Sequence, residues 1–473
     1  MPYISTRDAH RPPKTLAFDE VLLAGLAPDG GLYVPTAWPR LDADALASLR
    51  GKSYAEIAIA VMTPFLDGTI APADFRRMAE DSYRDFDDPA VAPLKELGQG
   101  LYLLELFHGP TLAFKDFALQ LVGRLFDHVL KKRRTRVTIV GATSGDTGSA
   151  AIAGCRGSDA VDIFMLYPKG RISDVQRRQM TTVDAPNVHA IAVEGTFDDC
   201  QDLVKAMFAD VRFRGEMHLS AVNSINWARI MAQIVYYVSA ALALGGPKQA
   251  IGFSVPTGNF GNVFAAHAAR HMGLPMAQLV IGSNRNDILA RFFNTGAMTI
   301  GTVEPSYSPS MDIQVSSNFE RLFFELKRGD AAAVAAALTE FRRTGTLPVS
   351  RAEWQEAASL FGAARVDDAG TLAEIAATFK ATGIVLDPHS AVAVAAARAL
   401  RHDPAVPMVA LATAHPAKFA DAVEKAIGTK PTMPARLAAL MHLPERAPEL
   451  PNDLAAIQDF VRRHARAPAG VPT

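Results

Sequence analysis

The strongest constraint on the fold is an alternation of short apolar strands with helices along most of the chain. Strand candidates run over residues 101–105, 136–141, 161–167, 188–193, 250–255, 278–281 and 408–412. Helical patterns lie between them, for example at 197–209 and 226–244. Short apolar strands joined through helices indicate parallel sheets in an α/β fold. Ligands bind at the carboxyl ends of such strands, so the polar residues that follow them are the first candidates for a functional site.

The first glycine-rich loop follows one of these strands and opens a helix. It runs over residues 140–149 and contains Thr143, Ser144, Gly145, Asp146 and Thr147. Hydroxyls and free backbone N–H groups at a helix N-terminus can bind a phosphate or a carboxylate. An ordinary N-cap on a βα loop is the alternative interpretation.

The second glycine-rich loop, residues 254–262, lies in the same kind of strand–loop–helix junction. Its backbone N–H groups would converge on a phosphate at Gly258, Asn259, Phe260, Gly261 and Asn262. No Gly-Lys-Ser/Thr sequence follows, so it is not the phosphate loop of nucleotide triphosphatases. A tight turn without a ligand is the alternative.

Lys115 lies in the segment His108-Gly-Pro-Thr-Leu-Ala-Phe-Lys-Asp-Phe117, mostly among apolar residues. Apolar burial disfavours the ammonium form of a lysine and lowers its pKa, which leaves more free amine as a nucleophile. Such an amine suits Schiff-base chemistry with an aldehyde cofactor. A lysine at a helix start whose ammonium reaches solvent explains the segment as well.

Together the lysine segment and the two loops resemble the threonine synthase family, in its bacterial and fungal branch. Residues 18–35, 223–229 and 412–419 also resemble that family's sequences. The resemblance implies the two-lobed parallel-sheet pyridoxal-phosphate fold (tryptophan synthase β-like, fold type II) with a small, mainly helical N-terminal domain. We therefore predict an N-terminal domain over residues 1–95, a catalytic region in two α/β lobes over 96–428 with a helical insertion at about 327–380, and a C-terminal extension over 429–473.

The resemblance also implies a cofactor, pyridoxal 5'-phosphate, and a reaction. Lys115 would form the Schiff base with the cofactor, the loop from Gly258 to Asn262 would bind its phosphate, and the Thr413 hydroxyl would face its pyridine nitrogen. The implied enzyme is a carbon–oxygen lyase that converts O-phospho-L-homoserine and water to L-threonine and phosphate by γ-elimination and β-hydration. The free Lys115 amine would act as general base and acid, and released phosphate could share that work.

Candidates for substrate binding fall into two groups. Thr143, Ser144, Asp146 and Thr147 would hold the substrate carboxylate and the cofactor's ring oxygen, although an acidic Asp146 would repel a carboxylate. The leaving phosphate needs cations or amides, because arginine binds phosphate in a bidentate manner; the candidates are Asn226, Arg229, Arg285 and Arg321, with Asn284, Ser316 and Asn318 nearby in sequence. A surface ion pair on a helix explains Arg229 and Arg321 equally well, and His108, His389 and His415 are more often structural residues.

Composition excludes several function classes. The formal net charge is −1, so no strong field for nucleic acid or acidic membranes exists. Two cysteines and no Cys/His motif indicate a reducing compartment and no zinc motif. The N-terminus has no apolar stretch of signal-peptide length. We expect a cytoplasmic protein, a monomer or a homodimer, with no membrane or nucleic-acid partner and no metal.

Three other functions are alternatives to this one. The first is another fold-type-II lyase, such as a serine/threonine dehydratase or a cysteine synthase, but those families have a different lysine segment, which argues against them. A phospholyase would release phosphate with 2-oxobutyrate and ammonia instead of threonine. A non-catalytic protein that keeps the fold would bind the cofactor without turnover.

Overall fold

The computed structural model describes residues 1–66 and 68–466. The strands are β1 (Tyr3–Ser5), β2 (Tyr33–Pro35), β3 (Leu94–Gly98), β4 (Leu101–Glu105), β5 (Val137–Ala142), β6 (Val161–Pro168), β7 (Val188–Val193), β8 (Leu219–Ser220), β9 (Ile251–Pro256), β10 (Met276–Ser283), β11 (Phe361–Arg365), β12 (Met408–Ala412) and β13 (Glu449–Leu450).

The helices of the N-terminal half are α1 (Phe18–Ala24), α2 (Ala43–Ser48), α3 (Tyr54–Leu66), α4 (Pro72–Tyr83), α5 (Lys115–Arg133), α6 (Asp146–Cys155), α7 (Asp174–Thr181), α8 (Phe197–Ala209), α9 (Val211–Glu216) and α10 (Trp227–Ala243). Those that follow are α11 (Gly261–His271), α12 (Ile288–Thr295), α13 (Phe319–Leu326), α14 (Ala331–Thr344), α15 (Arg351–Leu360), α16 (Asp368–Thr382), α17 (Pro388–Leu400), α18 (Ala420–Ile427), α19 (Ala435–Leu440) and α20 (Leu454–His464). Two short 3-10 helices lie at Pro309–Met311 and Pro416–Phe419.

The predicted alternation of strands and helices is confirmed. Every strand predicted from the sequence is present, and the ends differ by no more than two residues. The helix predicted over 197–209 is α8, and that predicted over 226–244 is α10.

The region 327–380, where a helical insertion was predicted, holds α14, α15 and most of α16. It also contains β11, which the sequence did not predict and which pairs in parallel with β10. The sequence of β11, Phe-Gly-Ala-Ala-Arg, has weak strand propensity, so its conformation comes from this pairing. The stretch 284–324 is largely irregular and contains the helix α12 and most of α13.

The chain divides into two compact units, and neither is continuous in sequence. The first unit comprises residues 1–21, 26–114 and 224–431, and the second comprises 22–25, 115–223 and the residues from 432 onward. The domain boundaries expected from the sequence stay predictions, and the last residues of the expected C-terminal extension, 467–473, lie outside the described part of the chain.

Each unit is built on a largely parallel sheet. In the first unit six strands run in the order β11-β10-β9-β12-β4-β3, and only the β3–β4 pair is antiparallel. In the second unit five strands run in the order β13-β7-β6-β5-β8, all parallel. The central strands β6, β9 and β12 are buried along their whole length, as expected for strands covered on both faces.

Two glycines bring α5 and α6 of the second unit into backbone contact. A Cβ on Gly123 would lie 2.0 Å from the carbonyl oxygen of Gly154, and one on Gly154 would lie 2.2 Å from the carbonyl oxygen of Leu119. Only residues without a side chain allow this approach. The N-termini of α5 and α6 carry Lys115 and Asp146, so the close packing of these helices places the two side chains together.

Among the described residues, no helix combines the length and the apolar character that a membrane crossing requires. Cys155 and Cys200 are both buried and unbridged.

Candidate active site

In the first unit, the predicted cofactor residues lie at one edge of the six-stranded sheet. Strands β10, β9 and β12 are parallel neighbours, so their carboxyl ends lie together. Asn284 follows β10, the loop of residues 257–260 follows β9, and Thr413 follows β12. This arrangement agrees with the expectation that ligand-binding residues follow the strands.

The loop after β9 offers backbone N–H groups to a ligand. Helix α11 begins at Gly261 without a side-chain cap, and Phe260 before it has a φ of 62°. Within residues 1–66 and 68–466, the amides of residues 258–263 have no hydrogen-bond acceptor. Unsatisfied amides at the start of a helix form an anion site.

Side chains from elsewhere in the first unit fix the carbonyl groups of this loop. The Ser316 hydroxyl donates to the Gly258 carbonyl at 2.7 Å, and the Asn318 amide donates to the Asn259 carbonyl at 3.0 Å. Tyr236 and Tyr237 both donate to the Asn262 side chain. Because these contacts occupy oxygens and leave the amides unbonded, the loop fits a phosphate group.

Thr413 is bonded to the segment that ends just before Lys115. The Phe114 amide donates to the Thr413 carbonyl at 2.8 Å, and Ala113 and Ala414 form an isolated antiparallel bridge. Thr413 is buried, and its hydroxyl donates no hydrogen bond to the described residues. Leu112 adopts a left-handed backbone with a φ of 57°, a conformation that costs energy and is held by its surroundings.

In the second unit, Lys115 lies beside the first glycine-rich loop. It is the first residue of α5 and is buried, and its Nζ lies 3.6 Å from Asp146 Oδ2. The sequence indicated mainly apolar surroundings, whereas the structure adds an anionic carboxylate. The ammonium form of Lys115 therefore has a nearby counter-charge.

The first loop is shaped by Thr143 and Gly145. The Thr143 hydroxyl accepts hydrogen bonds from the amides of Gly145 and Gly148, at 2.9 and 2.8 Å. Gly145 has a φ of 131°, a conformation that favours glycine. The Thr143 side chain thus holds the backbone of the loop. Ser144 and Thr147 are partly exposed, and their hydroxyls form no hydrogen bond with the described residues.

The predicted arginines have three different environments in the first unit. Arg229 is buried, and its Nε and Nη1 have no hydrogen-bond partner among the described residues. Arg321 is wholly buried but donates to the carbonyls of Tyr33 at 3.0 Å and Ile225 at 2.6 Å, and to Asn318. Arg285 is paired with Asp368 at 2.9 Å. Arg229 therefore has buried donors that no acceptor in the described part of the chain occupies.

The predicted asparagines have structural contacts. The Asn226 side chain accepts from the Ala228 amide at 3.0 Å and caps α10. Asn284 donates to Ser306 and Asp312, at 2.8 and 2.7 Å. The pKa of Asp312, which accepts this bond, is raised mainly because the carboxyl group is buried.

The histidines singled out in the sequence also have structural partners. His108 contacts Glu105 at 2.9 Å, and His389 contacts Asp387 at 2.8 Å. His415 accepts from the Ala417 amide through Nδ1 at 3.1 Å, and burial lowers its pKa to about 4. These contacts favour the structural interpretation of all three.

Two side chains that contact the predicted residues or the segment before Lys115 could not be identified from the sequence. Gln176, at the start of α7, donates through Nε2 to Asp146 Oδ1 at 2.9 Å and orients that carboxylate. Lys418 is buried and donates to the Thr111 carbonyl at 2.9 Å, which anchors the segment before Lys115. Each lies 30 or more residues from its partner in the chain, at separations of 30 and 307, so only the tertiary structure reveals the contact.

Comparisons with known proteins identify the family. Family models match for the threonine synthase N terminus over residues 2–83, for pyridoxal-phosphate dependent enzymes over residues 89–413, and for the threonine synthase C-terminal region over residues 390–461. A threonine synthase from Pseudomonas aeruginosa is 56% identical over 465 residues, 98% of each chain.

Solved structures of threonine synthases are also similar. The pyridoxal-phosphate-bound enzyme from Brucella melitensis superposes with a TM-score of 0.96 at 51% identity, over 99% of this chain and 100% of that one. The yeast enzyme superposes with a TM-score of 0.93 at 38% identity, over 98% of both chains. The chain therefore belongs to the threonine synthase family of pyridoxal-phosphate-dependent enzymes, and it has the fold type II architecture that its sequence indicated.

Proposed function

We propose that this chain is an enzyme that converts O-phospho-L-homoserine and water to L-threonine and inorganic phosphate. The observation that carries the proposal is the position of Lys115 at the buried start of α5, 3.6 Å from Asp146. A lysine there can both attach an aldehyde and exchange protons with a carboxylate neighbour. Family membership supports the choice of reaction.

The residues present fit pyridoxal phosphate. We assign its covalent attachment to the Lys115 amine and its phosphate to the unbonded amides from Gly258 to Asn262. Thr413, whose hydroxyl is neutral, would accompany the pyridine nitrogen without protonating it. When bound, the cofactor supplies an electron-withdrawing ring system that makes the protons of the substrate's Cα acidic.

Lys115 also has a proton-transfer role in the proposal. Once the substrate's amine has replaced Lys115 on the cofactor, the freed Lys115 amine can remove the Cα proton and then a Cβ proton. It can return a proton at Cγ after phosphate leaves. Asp146, held by Gln176 at 2.9 Å, would keep the lysine oriented between these transfers. Water then adds at Cβ, which gives the hydroxyl group of threonine, and a proton returns from the Lys115 amine to Cα, which completes the amino acid.

The start of α6 is suited to the substrate carboxylate. Ser144 and Thr147 provide hydroxyls, and the positive end of the helix dipole favours an anion. Asp146 lies in the same turn, but its two carboxylate oxygens face Lys115 and Gln176. We therefore propose that Asp146 acts on Lys115 rather than on the carboxylate.

Arg229 is the best of the four predicted phosphate ligands. A buried guanidinium whose Nε and Nη1 groups have no partner among the described residues keeps charged donors for a phosphate. We propose that Arg321 positions the backbone through its carbonyl contacts, that Asn226 caps α10, and that Arg285 contributes an ion pair. These three would affect substrate binding only indirectly.

A turnover assay tests the proposal. Purified protein with pyridoxal phosphate and O-phospho-L-homoserine should release phosphate and threonine in equal amounts. Lys115→Ala should lose turnover by at least about 1,000-fold, because the covalent nucleophile and the acid–base group are removed together. Lys418→Arg is the matched control for another buried lysine, since it retains a donor for the Thr111 carbonyl.

The products separate the alternatives. Phosphate released with 2-oxobutyrate and ammonia would assign a phospholyase instead. Cofactor absorbance without turnover of any phosphorylated amino acid would contradict an enzymatic role.

We further propose that the enzyme acts in the cytoplasm as a monomer or homodimer. The two unbridged cysteines are consistent with a reducing compartment. Gel filtration with light scattering would determine the oligomeric state.

A further inference from the structure

Three side chains with metal-ligand atoms converge at the C-terminal end of α11 in the first unit. His267 and His271 lie one helical turn apart on α11, and Glu325 lies on α13. The distance from Glu325 Oε2 to His267 Nε2 is 2.8 Å, and that to His271 Nε2 is 3.2 Å. The two Nε2 atoms are 2.9 Å apart. All three atoms therefore surround one point.

This arrangement resembles the three protein ligands of a tetrahedral zinc site. Zinc binds imidazole nitrogen and carboxylate oxygen at about 2.0–2.2 Å, which places neighbouring tetrahedral ligands about 3.3 Å apart. The observed separations are shorter by a few tenths of an ångström, so small side-chain rotations would admit the ion. Two histidines at i and i+4 on one helix face, with a carboxylate from another helix, form a set of three ligands that leaves the fourth position open.

Both histidines contact the same carboxylate oxygen, so without a cation two imidazole nitrogens compete for Glu325 Oε2.

The cluster opens to a surface cleft of about 540 Å³. The His267 side chain is 4% exposed, that of Glu325 is 28% exposed and that of His271 is 36% exposed. Trp38 stacks on the His271 ring with centroids 4.9 Å apart and planes within 5°, which fixes the ring's orientation. Arg40 and Arg270 also line the cleft, so a water molecule or an anion would occupy the fourth position.

We propose that His267, His271 and Glu325 form a binding site for Zn²⁺. The ion would tie the C-terminal end of α11 to α13. The amides assigned to the cofactor phosphate lie at the other end of α11, about 15 Å away at 1.5 Å per residue. The role is structural, because the metal stabilises a helix whose first residues bind the cofactor. The inference is independent of the proposed reaction.

Metal binding to the cofactor-loaded enzyme tests the proposal. The enzyme is treated with a chelator, checked for retained pyridoxal phosphate and titrated with Zn²⁺ by calorimetry. We expect one ion per chain and a dissociation constant on the order of 1 µM, since His267 Nδ1 has no partner in the described part of the chain to strengthen its ligation. Co²⁺ in the same site should give the intense visible absorption of a tetrahedral complex.

Two variants and one control connect the binding to these residues. Glu325→Gln and His271→Ala should each weaken Zn²⁺ binding at least 100-fold, and should remove the rise in melting temperature that Zn²⁺ causes in the wild type. His402→Ala removes an exposed histidine elsewhere in the first unit and should change neither quantity. Zinc bound by the cofactor phosphate would persist in all three variants.

Two outcomes overturn the proposal. One is the absence of a stoichiometric site in the wild type. The other is unchanged Zn²⁺ affinity in His271→Ala, whose partly exposed side chain can be removed without emptying the core. If Glu325→Gln unfolds, His271→Ala alone decides the question.

Discussion

Replacing Arg229 with methionine should make the cofactor-free protein more stable and the enzyme less active. Arg229 is buried, and burial lowers its pKa to about 10. A pKa that is lower by one unit corresponds to about 1.4 kcal/mol, so burying the uncompensated charge of Arg229 costs on the order of 3 kcal/mol at neutral pH. The cost applies while the group is protonated, which it is at every pH below its folded-state pKa. Methionine has a similar length and no charge, so Arg229→Met should recover part of this free energy.

The activity should change in the opposite direction. Charge-assisted hydrogen bonds contribute about 1.5–3 kcal/mol each, so the loss of a phosphate ligand should lower kcat/KM at least 10-fold. Most of this should appear in KM for O-phospho-L-homoserine. Arg229→Lys keeps the charge without the bidentate geometry and should recover only part of the affinity.

Arg321→Met is the matched control, because Arg321 is equally buried and burial lowers its pKa to about 9. Its guanidinium, however, serves two backbone carbonyls and Asn318. Removing it leaves buried acceptors unpaired at about 1–3 kcal/mol each, so this variant should be less stable than the wild type. Melting temperature and denaturant midpoint of the cofactor-free proteins measure the difference. Lower stability of Arg229→Met with an unchanged KM would refute the assignment of Arg229 to the substrate.

Three further predictions concern the contact of Gln176 with Asp146, the packing of α5 on α6, and the buried His415. Gln176→Leu should lower kcat about 10-fold without unfolding the protein, because Asp146 loses the hydrogen bond that orients it, worth about 1.5 kcal/mol; an unchanged kcat would contradict this role. Gly154→Ala places a Cβ 2.2 Å from the Leu119 carbonyl and should destabilise the fold by about 1–3 kcal/mol, whereas Gly215→Ala, which meets nothing within 4 Å, should not. The lowered pKa of His415, about 4, means that the unfolded chain binds the proton first. Stability should therefore fall as the pH drops from about 6.5 to 4, by on the order of 2 kcal/mol after allowance for partial exposure. His415→Asn should reduce that slope in denaturation measured across this pH range.

The sequence indicated the local geometry of the functional segments well. Apolar runs predicted β5, β9 and β12, and the polar residues after them follow the carboxyl ends of parallel strands, as that fold class requires. The lysine segment and both glycine loops also carried the resemblance to the family. Such features are local, because hydrophobic period, turn chemistry and motif spacing are read within ten or so neighbouring residues.

The sequence could not rank the four candidate ligands of the substrate phosphate. Arg229, Arg285 and Arg321 are the same residue type in similar helical or loop contexts. In the described part of the chain, however, Arg229 Nε and Nη1 have no partner, Arg285 has an ion pair and Arg321 donates to carbonyls. Which acceptors surround a guanidinium depends on segments that are distant in the chain. The strand β11 was missed for the same reason, since pairing with β10 decides its conformation.

The sequence by itself thus determined the fold class, the family and the lysine that the proposed chemistry requires, because these depend on local patterns and on short, specific motifs. The tertiary structure alone decided that Asp146 and Gln176 accompany Lys115, that Arg229 keeps unbonded donors, and that two histidines meet Glu325 at the end of α11. Each of these depends on burial and on long-range packing, which set the partners and the charge state of a polar side chain.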